Sequence, residues 1–381
     1  MNDSSQILKY YSLSRDPLIA AKELFDGLYQ EDTEAVIFFC SVEYDLNALA
    51  KALKKQFGDI TLLGCTTAGE ISPLGNCKGS ITGFSLPKRF FSVEAALIQN
   101  LHNFSFSDTE TLLKDVITSF KRKAIRPIAG NSFAFSLLDG LSIREELVLK
   151  SLHDALGEIP LVGGSAGDDL FFKDTHVFFG DQFHRNAAVM IMVNTSCSFE
   201  VFSTHHLIAE NNKLVVTEAD ATDRVVRELN AEPAALEYAR VLNVPLDALS
   251  LTTFALHPIG VKLHDNFHVR AVQKVNDDLS LTFFCAIDEG VVLSTCRRGD
   301  LFDHLRNTLQ SLEEKLGSTQ LIIGCECILR QLEVDYLQIE ESISSLFKQY
   351  NVIGFETYGE QFNGQHVNQT FSGVAIGLPA K

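Results

Sequence analysis

With 381 residues the chain is long for a single core and falls in the range of two or three domains. Hydrophobic residues make up 46%, enough to bury such cores. The net charge of -17, with no lysine- or arginine-rich run, argues against nucleic acid or an anionic membrane surface as partner, since both are bound through cations. No window approaches the ~18 apolar residues of a membrane span, and Met1-Asn2-Asp3-Ser4-Ser5 does not open a secretion signal. A cytoplasmic location is therefore expected, with the eight cysteines as free thiols. The 28 phenylalanines are expected as core.

In chain order, Val36-Ile37-Phe38-Phe39-Cys40 reads as a buried strand. Leu46, Leu49, Ala50, Leu53 and Phe57 then mark one face of a helix. A second strand, Thr61-Leu62-Leu63, enters the turn Gly64-Cys65-Thr66-Thr67-Ala68-Gly69-Glu70, and a third strand runs from Gly79 to Leu86. The order recurs. Phe133 to Leu138 is a strand, and Ser142-Ile143-Arg144-Glu145 has the form of a capping box for a helix ending near Gly157. Leu161-Val162 leads into the turn Gly163-Gly164-Ser165-Ala166-Gly167-Asp168, and Ala187 to Val193 is a strand. A third copy runs from Leu321-Ile322-Ile323 through one helix bearing Leu332, Tyr336, Ile339, Ile343, Leu346 and Phe347. It continues with the turn ending Tyr358-Gly359-Glu360 and closes with Phe371 to Leu378. The second copy's turn is one residue shorter than the others.

Strands alternating with helices in this way predict an α/β (mixed α+β) fold of repeated strand–helix–strand units with mixed sheets. Residues 220 to 249 read as helix-rich, and 251 to 295 as short antiparallel strands; a helix from Leu301 to Leu316 ends at Gly317. The expected organisation is a lead-in over 1–30, one domain over 31–219 and a second, closely packed, over 220–381.

The glycine turns offer backbone N–H groups that can cradle an anion, but none has the form G-x-G-x-x-G or G-x-x-x-x-G-K-[ST]. Each ends in an acid (Glu70, Asp168, Glu360), which repels phosphate, so tight strand connection is the favoured explanation of the glycines. No catalytic signature is present, and Cys65 or Cys325 as nucleophile lacks a local base, so the chain is expected not to be an enzyme. Cys325 and Cys327 share one face of a strand and read as buried thiols rather than metal ligands. Among the histidines, His205 and His206 follow a strand, and His264 and His268 fall in a hairpin. His184 and His257, the latter within Phe254-Ala255-Leu256-His257-Pro258-Ile259, have the apolar context a haem ligand needs.

Leu62 to Ile71 resembles the signature of the FIST N-terminal domain, and Leu161 to Asp168 its second glycine turn. His257-Pro258-Ile259-Gly260-Val261 with Val269-Arg270 resembles the opening of the FIST C-terminal domain, and Val352 to Glu360 with Asn368-Gln369-Thr370 its close. This resemblance covers nearly the whole chain and implies two FIST domains acting as a sensor of a small ligand. Residues Gly324 to Glu333 are similar to the haem-binding, nitric-oxide-sensing branch of that family, which implies haem b as cofactor. It further implies nitric oxide as ligand, and a histidine kinase or cyclic-di-GMP enzyme as partner. A homodimer is compatible with it. The haem ligand is sought at His184 or His257, since no position carries over from the family. In a second reading the ligand is an amino acid or other small metabolite, held without haem in an interdomain cleft by Gly64, Thr66, Thr67, Gly163, Ser165, Asp168 and Arg270.

Overall fold

The computed structural model describes residues 6–263 and 266–379, and it bears out the mixed α/β architecture. Three copies of one unit follow each other. The first consists of strand Leu8–Ser12, helix Pro17–Leu28, strand Thr33–Ser41, helix Leu46–Phe57, strand Thr61–Thr67, a hairpin over 70–77 and strand Ile81–Pro87. The second repeats this order from Phe91–Gln99 to Ala187–Thr195, with its hairpin over 177–184. The third opens with strand Cys197–Thr204, resumes at helix Leu301–Leu316 and ends with strand Phe371–Pro379, its hairpin lying over 360–367. Between its first two elements, residues 207–298 form an added eight-stranded sheet with helices Ala234–Leu242 and Leu251–Leu256.

In each unit two parallel strands form the centre: Thr33–Ser41 with Thr61–Thr67, Ser132–Leu138 with Leu161–Ser165, and Thr319–Cys327 with Val352–Thr357. Strands covered on both faces read as continuous apolar runs, which is why they were legible in the sequence. The hairpins do not stay with their own units. The first pairs with the third unit (Gly354↔Ile71), the second with the first (Val177↔Cys65) and the third with the second (Glu360↔Gly164). Three six-stranded sheets are thereby interlocked in a closed ring. Their inner faces share one core that includes Phe39, Phe135, Val189, Ile323 and Phe355, with Phe39 and Phe355 stacked at 4.5 Å. Helices cover the outer faces over separate apolar clusters.

Several local expectations change. Residues 328–349 form two helices, Ile328–Leu337 and Glu340–Gln349, because Gln338 takes a left-handed conformation (φ 55) and ends the first. The helix starting at Glu145 has no side-chain cap: Arg144 is its N-cap and Ile143 lies at φ 49, so the Ser142 capping box does not form. Leu251–Leu256 is a helix rather than a strand, capped by Ser250, whose hydroxyl accepts from Thr253 N. The segment 220–249 is mixed, with strand Val225–Leu229 preceding helix Ala234–Leu242. Position 220 is the last residue of strand Leu207–Asp220, within the added sheet.

One glycine recurs at the same register of each parallel pair, opposite a partner backbone. A Cβ at Gly64 would stand 2.3 Å from Phe38 O, at Gly163 2.0 Å from Ser136 O, and at Gly354 1.8 Å from Gly324 O. Side chains cannot be accommodated there without moving the strands. Gly354→Ala is expected to destabilise the protein by about 3 kcal/mol, at the upper end of overpacking costs, as measured by denaturant unfolding.

Candidate functional site

The glycine-turn residues are occupied in holding the units together. Thr67 Oγ1 donates to Glu70 Oε1 at 2.5 Å, and Glu70 Oε2 accepts from the backbone and hydroxyl of Ser80 at 3.0 and 2.7 Å. The third unit repeats this with Thr357, Glu360 and Thr370, at 2.7, 3.0 and 2.8 Å. Thr66 Oγ1 accepts from His176 N at 3.0 Å, and Ser165 Oγ accepts from the Gln361 amide at 3.4 Å. Gly64, Thr66, Thr67, Gly163 and Ser165 are thus buried fold residues without a cavity of their own among the described hollows.

Asp168, in the shortened turn, behaves differently. Its carboxylate accepts from the backbone of Phe172, Lys173 and Asp174 at 2.9, 2.6 and 2.8 Å, and from the Tyr358 hydroxyl. It therefore fixes a loop whose Phe172 ring stacks on Tyr358 at 4.7 Å. These two rings line a cleft of about 330 Å³ between the second and third units and the added domain, with Phe284, Ile143, Lys274 and Arg224. Arg224 is buried and bridges the two parts: it donates to Glu145 and Glu146 at 2.5 and 2.7 Å and to Phe284 O at 2.7 Å. Arg270, half-buried, donates to its neighbour's carbonyl, Val269 O, at 3.2 Å and does not line this cleft. Sequence reasoning passed over Arg224, Phe172 and Tyr358 because nothing local marks residues that meet only across an interface.

The two histidines singled out for haem are not brought together, and His257 lacks the apolar setting expected of it. His184 ends the second hairpin in the first unit's sheet, half-buried, with the Gln99 amide 3.4 Å from its Nδ1. His257 caps the helix Leu251–Leu256; its neighbours Phe254 and Ile259 turn into the added domain's core. The imidazole itself borders a polar hollow of about 360 Å³ with Glu210, Asn212, Arg297 and Arg298. A carboxylate and two guanidinium groups do not fit the greasy wall of a haem pocket.

A third hollow is lined without Asp, Glu, Lys or Arg. It measures about 620 Å³ and lies between the edge strand Asn266–Val269 of the added sheet and the third hairpin. Its lining is mixed: Phe267, Phe362, Leu207, Val269 and Val367 supply apolar surface, Ser203, Asn363, Gln365 and Thr370 polar surface, and His205 and His268 border it. His205 is committed on both ring nitrogens, to Phe267 O at 3.2 Å and Leu207 N at 3.3 Å. Burial, and then Arg270, hold His268 below the usual histidine range, so its imidazole is neutral near pH 7, as ligation requires. His264 lies outside the described residues.

A charged chain runs inward from the half-buried Arg298 to fully buried residues. Arg298 lies 3.6 Å from Glu333; Glu333 accepts from His206 Nε2 at 3.0 Å; Arg330 donates to His206 Nδ1 at 3.2 Å and meets Glu326 at 3.4 Å. One neutral tautomer of His206 satisfies both neighbours. Glu326 is the direct parallel-strand neighbour of Glu356, and both are fully buried with one carboxylate oxygen unpaired. Cys65 and Cys325 are buried too, which pushes their thiols up and removes them as nucleophiles. Among the described residues no group of three or more His, Cys, Asp or Glu is placed to hold a metal, and no helix is long and apolar enough to cross a membrane.

The molecule is thus a closed α/β body with an added domain and clefts where they meet. The chain belongs to the FIST family: the FIST N domain matches residues 34–232 and the FIST C domain residues 234–363. FIST domains are sensory domains for small ligands rather than catalysts. The chain is 24% identical over 267 residues to the uncharacterized protein MJ1623 of Methanocaldococcus jannaschii, covering 60% of this chain. It spans about half (51%) the length of that protein. The two family domains meet within the added sheet, so the third unit's first strand belongs to FIST N and its remainder falls to FIST C and the chain's end.

Burial, and then the charge of Glu326, hold the Glu356 carboxyl well above the usual range. It keeps its proton when folded and loses it when unfolded above pH ~4.5, so the native state binds the extra proton and stability falls as pH rises. The slope from this one group is about 1.4 kcal/mol per pH unit. Glu356→Gln is expected to flatten the dependence and gain stability over the parent at pH 8 but not at pH 4, measured by urea unfolding at a series of pH values.

Proposed function

We propose that the chain is a haem-dependent nitric oxide sensor that reports to a separate signalling protein, a histidine kinase or a cyclic-di-GMP enzyme. The observation that carries this reading is the 620 Å³ hollow, with two phenylalanines in a mixed lining and the neutral imidazole of His268 on its wall. The resemblance of residues 324–333 to the haem-binding branch supports it. When bound, haem b would supply a ferrous iron able to take nitric oxide. His268 would hold the group, and Phe267 and Phe362 would pack against it and exclude water. His268 sits on an edge strand, paired on one side only to Ile259–Leu263, so a shift of its side chain is transmitted to a strand with little to restrain it. The opposite wall is the third hairpin, which is built into the second unit's sheet. A ligand spanning the hollow thereby couples the added domain to the body.

The 330 Å³ cleft favours a second reading, a small metabolite bound without haem. Its aromatic wall of Phe172, Tyr358 and Phe284 suits a planar or apolar body, and its charged edge suits a polar group.

Purified protein titrated with haem is expected to develop a Soret band that shifts on adding nitric oxide. His268→Ala should lose or alter that band, whereas His184→Ala and His257→Ala should leave it unchanged. Absence of haem uptake by the folded parent would sink the first reading, and a thermal-shift screen of amino acids and organic acids on the haem-free protein then tests the second.

A further inference from the structure

We infer that the hollow beside His257 is a second binding site, for a small ligand carrying a phosphate or carboxylate group. It is built by a break in the sheet. Strand Leu207–Asp220 pairs with Val292–Arg298 as Ala209↔Cys296 and then as Lys213↔Ser294, so Glu210, Asn211 and Asn212 together oppose Thr295 alone. A bulge of this size swings side chains out of the ladder, and such bulges recur beside binding sites. Glu210 and Asn212 are thereby turned to the mouth of a space of about 360 Å³.

The chemistry of the lining selects the ligand. Arg297 and Arg298 stand next to each other at the end of one strand, with His257 and Thr295 nearby. The one acid, Glu210, is engaged by the Thr295 hydroxyl at 2.9 Å. Arg297 is exposed, and among the described residues Arg298 approaches Glu333 at 3.6 Å and lies 5.8 Å from the Tyr336 ring centroid. Both arginines line the hollow; the exposed guanidinium of Arg297 can match a phosphoryl or carboxylate group by paired hydrogen bonds, and Arg298, turned toward Glu333, adds its charge beside it. Two arginines against one acid leave the lining positive, against the general field of a chain with a net charge of -17. Val241, Leu242 and Leu256 close the back of the hollow and leave room for a short apolar body behind the anionic group. Arg298 is also the outer member of the buried chain that leads through Glu333 and His206 to Arg330, so a ligand here takes hold of a residue already tied to the interior.

The site shares no lining residue with the larger hollow and does not rest on the haem reading. The test is isothermal titration of the full, haem-free chain with inorganic phosphate and, separately, succinate, at an ionic strength fixed with chloride. Saturable one-to-one binding of at least one probe is expected, weakened about ten-fold or more by Arg297→Gln, the cost of one charge-assisted hydrogen bond. Arg122→Gln, an exposed arginine on the helix Phe106–Lys123, should bind as the parent does. Phosphate alone binding assigns a phosphoryl ligand, succinate alone a carboxylate, and both together a small oxyanion in general. Absence of saturable binding by either probe, or equal affinity in the Arg297 variant with its fold intact by circular dichroism, overturns the assignment.

Discussion

The structure depends on the exchange of hairpins among the three units. Each hairpin completes a sheet that is not its own: the first unit's sheet takes the hairpin of the second, the second's that of the third, and the third's that of the first, so no unit forms a full six-stranded sheet alone. The shared core follows directly. With the sheets fixed edge to arm in a closed ring, their inner faces converge, and Phe39 of one unit lies stacked on Phe355 of another. The acids of the glycine turns follow as well. A carboxylate at Glu70 or Glu360 is buried, and burial pushes each up to about 7 despite the opposing hydrogen bonds. Its two oxygens are used to tie the start of each arm to the strand that returns from it. These acids are latches of the ring, and their placement leaves the binding chemistry to other residues.

The added domain is joined to this body by side chains rather than by a shared sheet. Arg224 inserts between Glu145 and Glu146, and Ala68, Leu329 and Tyr358 pack with Val269, Ala255 and Phe284 in a mixed apolar cluster. An interface of that kind, part ion pair and part apolar, leaves clefts beside it. The Phe172 cleft and the His268 hollow both border elements of the body and the added domain. Breaking the ion pair by removing Arg224 would strand two carboxylates where one has almost no access to water, which is far costlier than losing a surface bridge.

Much of this was legible in the residues. The parallel strands announce themselves as unbroken apolar runs, the helices by their 3.6-residue stripe, and the repeat by three glycine turns ending in acids. What could not be read was which strand each arm would join, because a three-residue strand such as Glu70–Ser72 fits any edge that offers the right register. The same holds for the sites. His257 looked apolar because its sequence neighbours are, but a helix end turns successive side chains in different directions, and the imidazole came out on the polar side. His268 looked ordinary because Phe362 and Val367, its companions across the hollow, lie nearly a hundred residues away. The shortened second turn was visible in the sequence. That it frees Asp168 to brace a loop against Tyr358 was not, since the partner comes from another unit.

The repeat also provides an internal comparison that separates architecture from specialisation. At the glycine position of the parallel pairs the units hold Gly64, Gly163 and Gly354, identical because a carbonyl lies opposite. Two residues further along, the cross-strand pairs are Cys40 with Thr66, Leu138 with Ser165, and Glu326 with Glu356. The fold is satisfied there by an apolar residue or thiol beside a hydroxyl, and two units use just that. A pair of buried carboxyls side by side is costly and serves no geometric need that the other units lack. The third unit is also the one interrupted by the added domain, and its Arg330, His206 and Glu333 carry charge from the carboxyl pair toward that domain. The departure from symmetry therefore falls in the unit that carries the insertion. The cost of that pair is thus borne by the one unit whose strands also reach, through Arg330, His206 and Glu333, to the added domain.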